Sequence, residues 1–306
     1  MTNTPRFALP PRLRLSLLVG LCLPLVAVAT PLLSPDLARF TVLGASTVTN
    51  VPTSVIGGNV GVWSSGGANA IAGFLSSPGL AVSDPQVGGL VHAGTATAMQ
   101  AQADLTTARN NLSSLGVGTT LSLPDMVGLT LAPGVYTVNA GSTNLSGLLR
   151  LDGGGNANAA WVFQMTGTLI TDSSSVVEVF NAGAGAGVYW NVASSATLGS
   201  DSTFAGNVLA LSTVTMNTGA TDLCGRVLAD TGAVTLQMNS LGSTCAGSLV
   251  GSDGLSGGLD VTGTVVSFLP SAPAFTVPEP ASLALVGLAL AALGLMRRRV
   301  LRQAGS

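Results

Sequence analysis

Lysine is absent from this 306-residue chain, and charged residues of all kinds make up only 8% of it. Ordinary soluble domains carry about a quarter. The cations are all arginines, and most of them lie in two terminal clusters. The stretch 30–280 holds all 13 acidic residues together with only Arg39, Arg109, Arg150 and Arg226. A body this acidic repels nucleic acid and anionic membrane surfaces, so we expect neither as a partner.

Aromatic residues and histidine are scarce as well. Aromatics form 4% of the chain, and His92 is its single histidine. A low aromatic content suits a narrow interior that stacked Val, Leu, Ile and Ala side chains can fill. Since no His/Cys cluster has metal-binding spacing, we predict neither a metal ion nor a cofactor.

A repeat of about 20 residues runs from Val188 to Asn239. The pentapeptide at 206–210, Gly-Asn-Val-Leu-Ala, returns at 225–229 as Gly-Arg-Val-Leu-Ala. The triplet beginning at Val214 returns at Val234 in the same way. β-Branched alternation between Gly, Asn and Ser corners predicts a β-solenoid in which each repeat forms one turn of the coil.

The N-terminus is typical of an export signal. An Arg-containing segment precedes the apolar run Leu15–Ala29, which closes with Ala27-Val28-Ala29. This A-x-A pattern predicts residues 1–29 as a signal peptide cleaved before Thr30. The alternative, a membrane anchor, is disfavoured because a span needs about 20 residues.

The C-terminus has three parts: Pro278-Glu279-Pro280, an apolar run over 281–296, and Arg297-Arg298-Arg299. Over residues 277–302 it resembles the PEP-CTERM sorting signal of Gram-negative bacteria. That resemblance implies recognition by an exosortase, a transient transmembrane helix, and a secreted or cell-surface product. A plain C-terminal anchor is the alternative.

Two cysteines, Cys224 and Cys245, remain after the signal peptide is removed. In an exported protein this favours one disulfide. It would close a loop of about 20 residues and contribute about 3 kcal/mol in the chain-entropy model. The alternative is two buried free thiols.

Between the signals we expect a solenoid over 30–246 and a Gly/Ser-rich linker over 247–276. One α-helix is predicted at about 91–112, where the chain is Ala-rich and free of proline. Its apolar residues fall on one face, which would pack along the side of the coil. These residues are Ala98, Ala101, Leu105, Ala108 and Leu112.

A set of segments spread over about residues 37–241 resembles the ice-binding-protein-like family of bacteria and microbial eukaryotes. They are Thr49-Asn50, 57–61, 103–108, 131–136, 160–164, 188–192, 196–199, 225–229 and 232–236. The resemblance implies an all-β solenoid, a right-handed discontinuous β-helix of triangular section, with one long α-helix packed alongside. Arg109 departs from the family, where the helix motif usually continues with an aromatic residue.

Strand alternation indicates which side chains could form an ice-binding face. If Val214 and Met216 point inward, Thr213 and Thr215 point outward, and the neighbouring repeats follow the same rule. Rungs about 4.8 Å apart and alternate residues about 6.7 Å apart are comparable to oxygen spacings on ice planes. Threonine suits such a face because its methyl weakens local hydration, its hydroxyl anchors water, and β-branching fixes χ1.

The candidate ice-binding residues are Thr49, Thr197, Thr213, Thr215, Thr218, Thr221 and Thr235. Thr218 and Thr221 enter because Thr218-Gly219-Ala220-Thr221 resembles a short pattern on the ice-binding face of some family members. The alternative is that threonine is simply a common outward residue on exposed strands.

Catalytic motifs are weak. The G-x-S-x-G match at 254–258 has no strand before it and no helix after it, so we interpret it as a chance match. The carboxylates that could contribute to a calcium site have no EF-hand spacing. They are Asp152, Asp172, Glu178 and Asp201.

We therefore predict an exported protein that is not an enzyme and that adsorbs to ice or another ordered water surface. The alternative is a cell-surface or extracellular-matrix protein that uses the same faces for adhesion, with extracellular polysaccharide as a further candidate partner.

Overall fold

The chain winds into a coil whose successive turns stack as parallel strands. A computed structural model describes residues 30–64 and 70–273. The predicted signal peptide and the predicted sorting signal with its transmembrane helix lie outside these residues. The helices are α1 (Pro35–Ala38) and α2 (Ala96–Ser114), with a short 3-10 helix at Gly247–Leu249.

The strands of the first part of the chain are β1 (Phe40–Gly44), β2 (Val48–Val51), β3 (Val55–Ile56), β4 (Asn59–Val62), β5 (Ile71–Ala72), β6 (Ala81–Val82), β7 (Val91–Ala93), β8 (Thr119–Thr120), β9 (Thr130–Leu131) and β10 (Gly134–Val138). Those of the second part are β11 (Leu148–Asn156), β12 (Ala160–Met165), β13 (Leu169–Ile170), β14 (Val176–Ala182), β15 (Gly187–Val192), β16 (Ala196–Leu198), β17 (Thr203–Ala210), β18 (Val214–Met216), β19 (Thr221–Ala229), β20 (Val234–Gln237), β21 (Ser240–Leu241), β22 (Leu259–Thr262) and β23 (Val265–Phe268).

Each turn of the coil contributes to three faces. One face is a six-stranded sheet in the order β13-β16-β18-β20-β2-β5. A 15-stranded sheet wraps the other two, because β17 and β19 bend at a register shift between Phe204 and Gly206. The second face includes β10, β12 and β15, and the third face includes β11, β14 and β21. Gly206 has φ +105°, and a Cβ there would meet Val188 at 2.6 Å, so the bend requires glycine.

The order in which the turns stack along the coil differs from their order in the sequence. The N-terminal strand β1 pairs with β19, and β2 pairs with β20, so the first turn stacks on the last turn of the later part. Helix α2 follows the N-terminal turns in sequence and runs along the coil. The next strand, β8, lies at the opposite end of the coil from β6 and β7. The predicted discontinuous solenoid with one long helix alongside is therefore confirmed.

The core contains an aromatic stack in addition to the Val, Leu, Ile and Ala side chains that the low aromatic content predicted. Phe163 and Trp190 stack with ring centroids 4.0 Å apart and planes 9° from parallel. Tyr136 and Phe204 extend the stack on either side. Parallel pairing places Tyr136, Phe163 and Trp190 at the same position of successive strands, so few aromatics suffice to form a continuous column.

Helix α2 packs on the second face of the coil through the predicted alanines and leucines, which are buried. Arg109 fixes this docking with polar contacts. Its Nη1 lies 2.9 Å from Asp230 Oδ2, and Nε and Nη2 donate to the backbone oxygens of Leu209 and Val192. At the position where the family resemblance implied an aromatic residue, this chain has a largely buried ion pair.

The helix begins five residues later than predicted, at Ala96. Val91–Ala93 is strand β7 instead, because β-branched Val91 pairs with Val60. Gly94 adopts φ +67°, and the Thr95 side chain accepts a hydrogen bond from Ala98 N. Thr95 is thus the N-cap that sets the helix start.

The linker predicted at 247–276 is wrong for the residues that the structure describes. Residues 247–273 fold back on the coil, and strands β22 and β23 form an antiparallel hairpin. Leu249, Leu255, Leu259 and Val266 are buried anchors. The glycines between them, several at positive φ, form turns rather than a flexible spacer.

Buried polar side chains also bind the 247–273 segment through hydrogen bonds. Arg226, with no exposed surface, donates to Ala38 O, Asp253 O and Asp253 Oδ1. Asn207, its neighbour on the adjacent strand, donates to the carbonyls of Gly254 and Leu255. These contacts join positions that are far apart in sequence. The local composition of the segment does not reveal them, and so it indicated a linker.

Cys224 and Cys245 form the disulfide, with Cα atoms 4.7 Å apart. The bridge ties strand β19 to the segment that leaves the coil. Neither helix within residues 30–64 and 70–273 is long and apolar enough to cross a bilayer.

Candidate functional site

The six-stranded sheet carries a continuous row of outward side chains, which we call the central row. Thr197 pairs with Thr215, Thr215 with Thr235, and Thr235 with Thr49. Ile170 and Ala72 occupy the same position on the outer strands. The central row is therefore Ile170, Thr197, Thr215, Thr235, Thr49 and Ala72.

A second row lies beside the first. It consists of the residue that precedes the first inward-facing side chain of each strand. The carbonyls of this row, except that of Thr168 beside the edge strand β13, accept a hydrogen bond from the neighbouring strand, as in Ala196 N to Thr213 O at 2.8 Å. This flanking row is Thr168, Ser195, Thr213, Ala233, Thr47 and Ala70. We call the central and flanking rows together the threonine face. Six strands at about 4.8 Å spacing make it about 24 Å long.

Alternation of burial holds these side chains outward. Val214 and Met216 have no exposed surface, and neither do Val234 and Leu236, whereas the threonines between them are partly exposed. Because each threonine lies between two core anchors on a strand paired on both sides, its backbone position is fixed. The array is preorganised before it meets any ligand.

The hydroxyls of the central row are free to bond water. Within the described residues, no protein hydrogen bond involves the hydroxyls of Thr49, Thr197, Thr215 or Thr235. The hydroxyl of Thr213 in the flanking row has no protein partner there either. Such hydroxyls retain both donor and acceptor capacity.

Neither row contains a charged residue. The ion pairs of the described part of the chain lie elsewhere: Arg150–Glu178 on the third face, Arg109–Asp230 beneath α2, Arg226–Asp253 at the C-terminal segment, and Asp36–Arg39 at α1. A charge would impose its own hydration geometry on the surface, so a charge-free face suits an uncharged, regular ligand.

Two of the sequence candidates lie away from this face. Thr218 is at the corner after β18, and its hydroxyl donates to Gln237 Oε1 at 3.2 Å. Thr221 begins β19 on the third face, where it pairs with Thr203 and Ser240 and donates to Ser202 O. The structure thus brings together Thr49, Thr197, Thr213, Thr215 and Thr235 but not Thr218 and Thr221.

Thr47 and Thr168 belong to the flanking row and were absent from the candidate list. Thr47 directly precedes the buried anchor Val48, and its carbonyl accepts from Val234 N at 2.9 Å. The same alternation rule that selected Thr213 before Val214 would have found it. Thr168 lies outside the clearest repeats, so its register could not be read.

The other two faces are less open. Helix α2 covers one of them. On the third, the 247–249 helix packs beside β14, and the exposed ion pair Arg150–Glu178 interrupts the surface. An apolar groove of about 450 Å³ lies there next to Cys224 and Leu249.

The remaining candidates lie in ordinary structural surroundings. His92 is buried, its ring lies 5.2 Å from that of Phe40, and burial lowers its pKa. Ser256 of the G-x-S-x-G match donates to Asp253 O. Asp152 pairs with Asn181, Glu178 with Arg150, and Asp172 accepts from Thr143, while Asp201 lies exposed at a corner. Within the described residues, no three His, Cys, Asp or Glu side chains form a metal-binding group.

Comparison with known sequences gives two family matches. The model of the ice-binding-like family matches residues 42–241, and that of the PEP-CTERM protein-sorting motif matches residues 276–299. An ice-binding protein of Nostoc sp. strain HG1 is 43% identical over 208 residues, which cover 68% of this chain and 72% of that protein. An ice-binding protein of Flavobacterium frigoris is 30% identical, with 67% and 73% covered.

Solved structures give the same result. The crystal structure of an ice-binding protein from the Antarctic ascomycete Antarctomyces psychrotrophicus superposes with a TM-score of 0.60 at 32% identity. It covers 71% of this chain and all of its own. An ice-binding protein from an Arctic yeast gives a TM-score of 0.62 at 27% identity, covering 71% and 96%.

Proposed function

Because the chain belongs to the ice-binding-like family, we propose that it adsorbs to ice through the threonine face and slows ice growth or recrystallisation. The observation that carries this proposal is the unbroken pairing of Thr197, Thr215, Thr235 and Thr49 across four adjacent strands. No chemical transformation is required of the face, because adsorption alone stops the growth of a crystal surface.

The spacing of the rows supports ordered water as the ligand. Adjacent strands repeat at about 4.8 Å, and the two rows are about 6.7 Å apart along each strand. Hydroxyls at these intervals can anchor waters, while the methyl groups between them leave neighbouring waters free to bond to one another. Since β-branched threonine has few χ1 rotamers, little conformational entropy is lost on adsorption.

Adsorption needs an exposed and regular surface, and the threonine face meets both conditions. Within the described residues, the hydroxyls of Thr49, Thr197, Thr213, Thr215 and Thr235 have no protein partners, whereas those of Thr218 and Thr221 are engaged in internal hydrogen bonds. Ser195 Oγ accepts a hydrogen bond from Thr213 N at 3.3 Å. We therefore assign ice contact to Thr49, Thr197, Thr213, Thr215 and Thr235, with Thr47 and Ser195 beside them.

The sorting motif supports export from a Gram-negative cell. We propose that an exosortase processes the tail, and that the product is secreted or retained at the cell surface. The described chain ends near Pro273, which pairs with Asn156 at the corner between the third face and the helix-covered face. This corner lies across the coil from the threonine face, so a tethered protein would still present that face outward.

The test is ice recrystallisation inhibition by the exported protein and its Thr215→Tyr and Thr235→Tyr variants. A tyrosine ring projects beyond the neighbouring side chains and separates the flat face from ice. We expect at least a tenfold loss of activity, equivalent to about 1.4 kcal/mol of adsorption free energy. Thr130→Tyr is the matched control, because Thr130 is an exposed strand threonine that pairs with Arg150 on the third face.

Equal loss in the Thr130 variant would contradict the assignment of the face. If the folded parent protein has no activity at micromolar concentration, ice is not its ligand. The adhesive or matrix function, with polysaccharide or a second copy as partner, would then account for the exposed face.

A further inference from the structure

The residue that follows the predicted signal peptide is held by the C-terminal hairpin. Thr30 N donates to Asp260 Oδ1 at 2.6 Å, and Val261 N donates to Thr30 O at 2.9 Å. Pro31 forms an antiparallel bridge with Asp260. Thr30 thus has both backbone polar groups satisfied by the same two residues of strand β22.

Buried anchors on both segments fix this arrangement. Leu32 and Leu33 are 5% and 2% exposed, and Leu259 and Val266 of the hairpin are buried in the same cluster. This cluster also contains the apolar side of α2, so the N-terminal segment and the hairpin share one packing surface. The buried Leu32, two residues after Thr30, therefore fixes the position of Thr30.

The junction before Thr30 reads Ala27-Val28-Ala29. Small residues at the last and third-last positions are what a signal peptidase recognises. In the cleavage, water adds across the Ala29–Thr30 peptide bond: the hydroxyl goes to the Ala29 carbonyl carbon, and the C–N bond breaks. The Thr30 nitrogen takes up protons and becomes an ammonium group.

We propose that Asp260 is the docking site for the α-ammonium group that signal-peptide cleavage creates at Thr30. Before cleavage, the Thr30 amide makes a neutral donor–carboxylate hydrogen bond. Afterwards the same nitrogen carries a positive charge 2.6 Å from the carboxylate oxygen, which makes an ion pair. Cleavage at the N-terminus thereby strengthens the contact between Thr30 and the β22–β23 hairpin, which precedes the sorting motif.

The absence of lysine allows a direct test. After cleavage, the α-amino group is the sole primary amine of the polypeptide, so an amine-reactive acetylating reagent modifies that group alone. Acetylation removes the charge but keeps one N–H on Thr30, and so restores the bonding capacity of the unprocessed chain. Peptide mapping of the exported protein must place the single acetyl group on Thr30.

The readout is amide hydrogen exchange at Val261, whose N–H bonds to Thr30 O. We expect acetylation to lower its protection about threefold, a size typical of exposed ion pairs. In an Asp260→Asn variant, whose amide oxygen still accepts a hydrogen bond, acetylation should leave the protection unchanged. Asp36→Asn, at an exposed carboxylate of α1, is the control and should respond as the parent does.

A mature chain that begins at another residue would overturn the proposal. It would also be overturned if acetylation left Val261 protection unchanged in the parent, or lowered it equally in the Asp260→Asn variant. None of these readouts depends on ice binding.

Discussion

Thr49 lies directly beside Thr235 in a parallel strand pair, although the two residues come from opposite ends of the solenoid sequence. Strand β2 thereby adds its threonine to the row that β16, β18 and β20 build in repeat order. The threonine face is continuous only because the N-terminal turn stacks on the last repeat.

We expect Thr49→Tyr to reduce ice recrystallisation inhibition as strongly as Thr235→Tyr does, by about tenfold or more. The two side chains are nearest neighbours on the face, so either ring would hold it away from ice. Measurement of inhibition against protein concentration tests this. Undiminished activity of the Thr49 variant would confine the binding surface to the later repeats.

Thr221→Tyr should leave ice activity within about twofold of the parent, since Thr221 lies on the third face and its hydroxyl is bonded to Ser202 O. The same recrystallisation assay measures the effect. A loss comparable to that of Thr215→Tyr would move the binding site to the third face and contradict the assignment of ice contact to the threonine face.

Arg109→Met should lower the free energy of unfolding by about 3–5 kcal/mol, because it leaves the buried Asp230 carboxylate without its oppositely charged partner. The backbone carbonyls of Leu209 and Val192 each lose one hydrogen bond at the same time. Denaturant unfolding provides the measurement. Arg150→Met is the matched control: its ion pair with Glu178 is about half exposed, and its loss should cost at most about 1 kcal/mol.

Asp222 makes stability depend on pH. It is fully buried beside Arg226, and neither carboxylate oxygen has a hydrogen-bond partner of normal geometry within the described residues. Burial raises the pKa of Asp222 well above its ordinary value, although the Cys224 amide and the Arg226 guanidinium act in the opposite direction. The folded chain therefore keeps this proton at pH values where the unfolded chain has released it.

The contribution of Asp222 to stability is fully present below about pH 3.9, the unfolded pKa, and is lost as pH rises through the raised folded pKa. Asp222→Asn removes this loss, so the variant should gain stability relative to the parent as pH rises from about 4 to about 7. Urea unfolding at several pH values tests this, with the exposed Asp36→Asn as control. A constant difference across that range would show that Asp222 is ionised in the folded state throughout.

Replacing both Cys224 and Cys245 by serine should lower the free energy of unfolding by about 3 kcal/mol, since the bridge closes a 21-residue separation. Ice activity at low temperature should persist, because neither cysteine belongs to the threonine face. Urea unfolding and the recrystallisation assay separate the two effects. Loss of ice activity in a variant that is still folded would contradict the expectation that the disulfide affects stability alone.

The period of the repeats and the alternation within each strand predicted the coil and the outward direction of Thr197, Thr215 and Thr235. Both are local properties, set by whether neighbouring side chains are apolar or polar. The Ala-rich stretch predicted the helix for the same reason, but its start was misplaced because Val91 pairs with Val60, a contact that local composition does not reveal.

Short-range patterns repeated along the chain were therefore enough to predict the solenoid, the helix beside it and the presence of a threonine row. Features that depend on contacts between distant segments became visible only in the folded chain. In the fold, Thr49 lies beside Thr235, Thr221 lies away from the threonine face, and the Gly/Ser-rich segment packs onto Arg226. These features escape a local pattern because the order of the stacked turns and the partners of buried polar groups are set by packing in three dimensions.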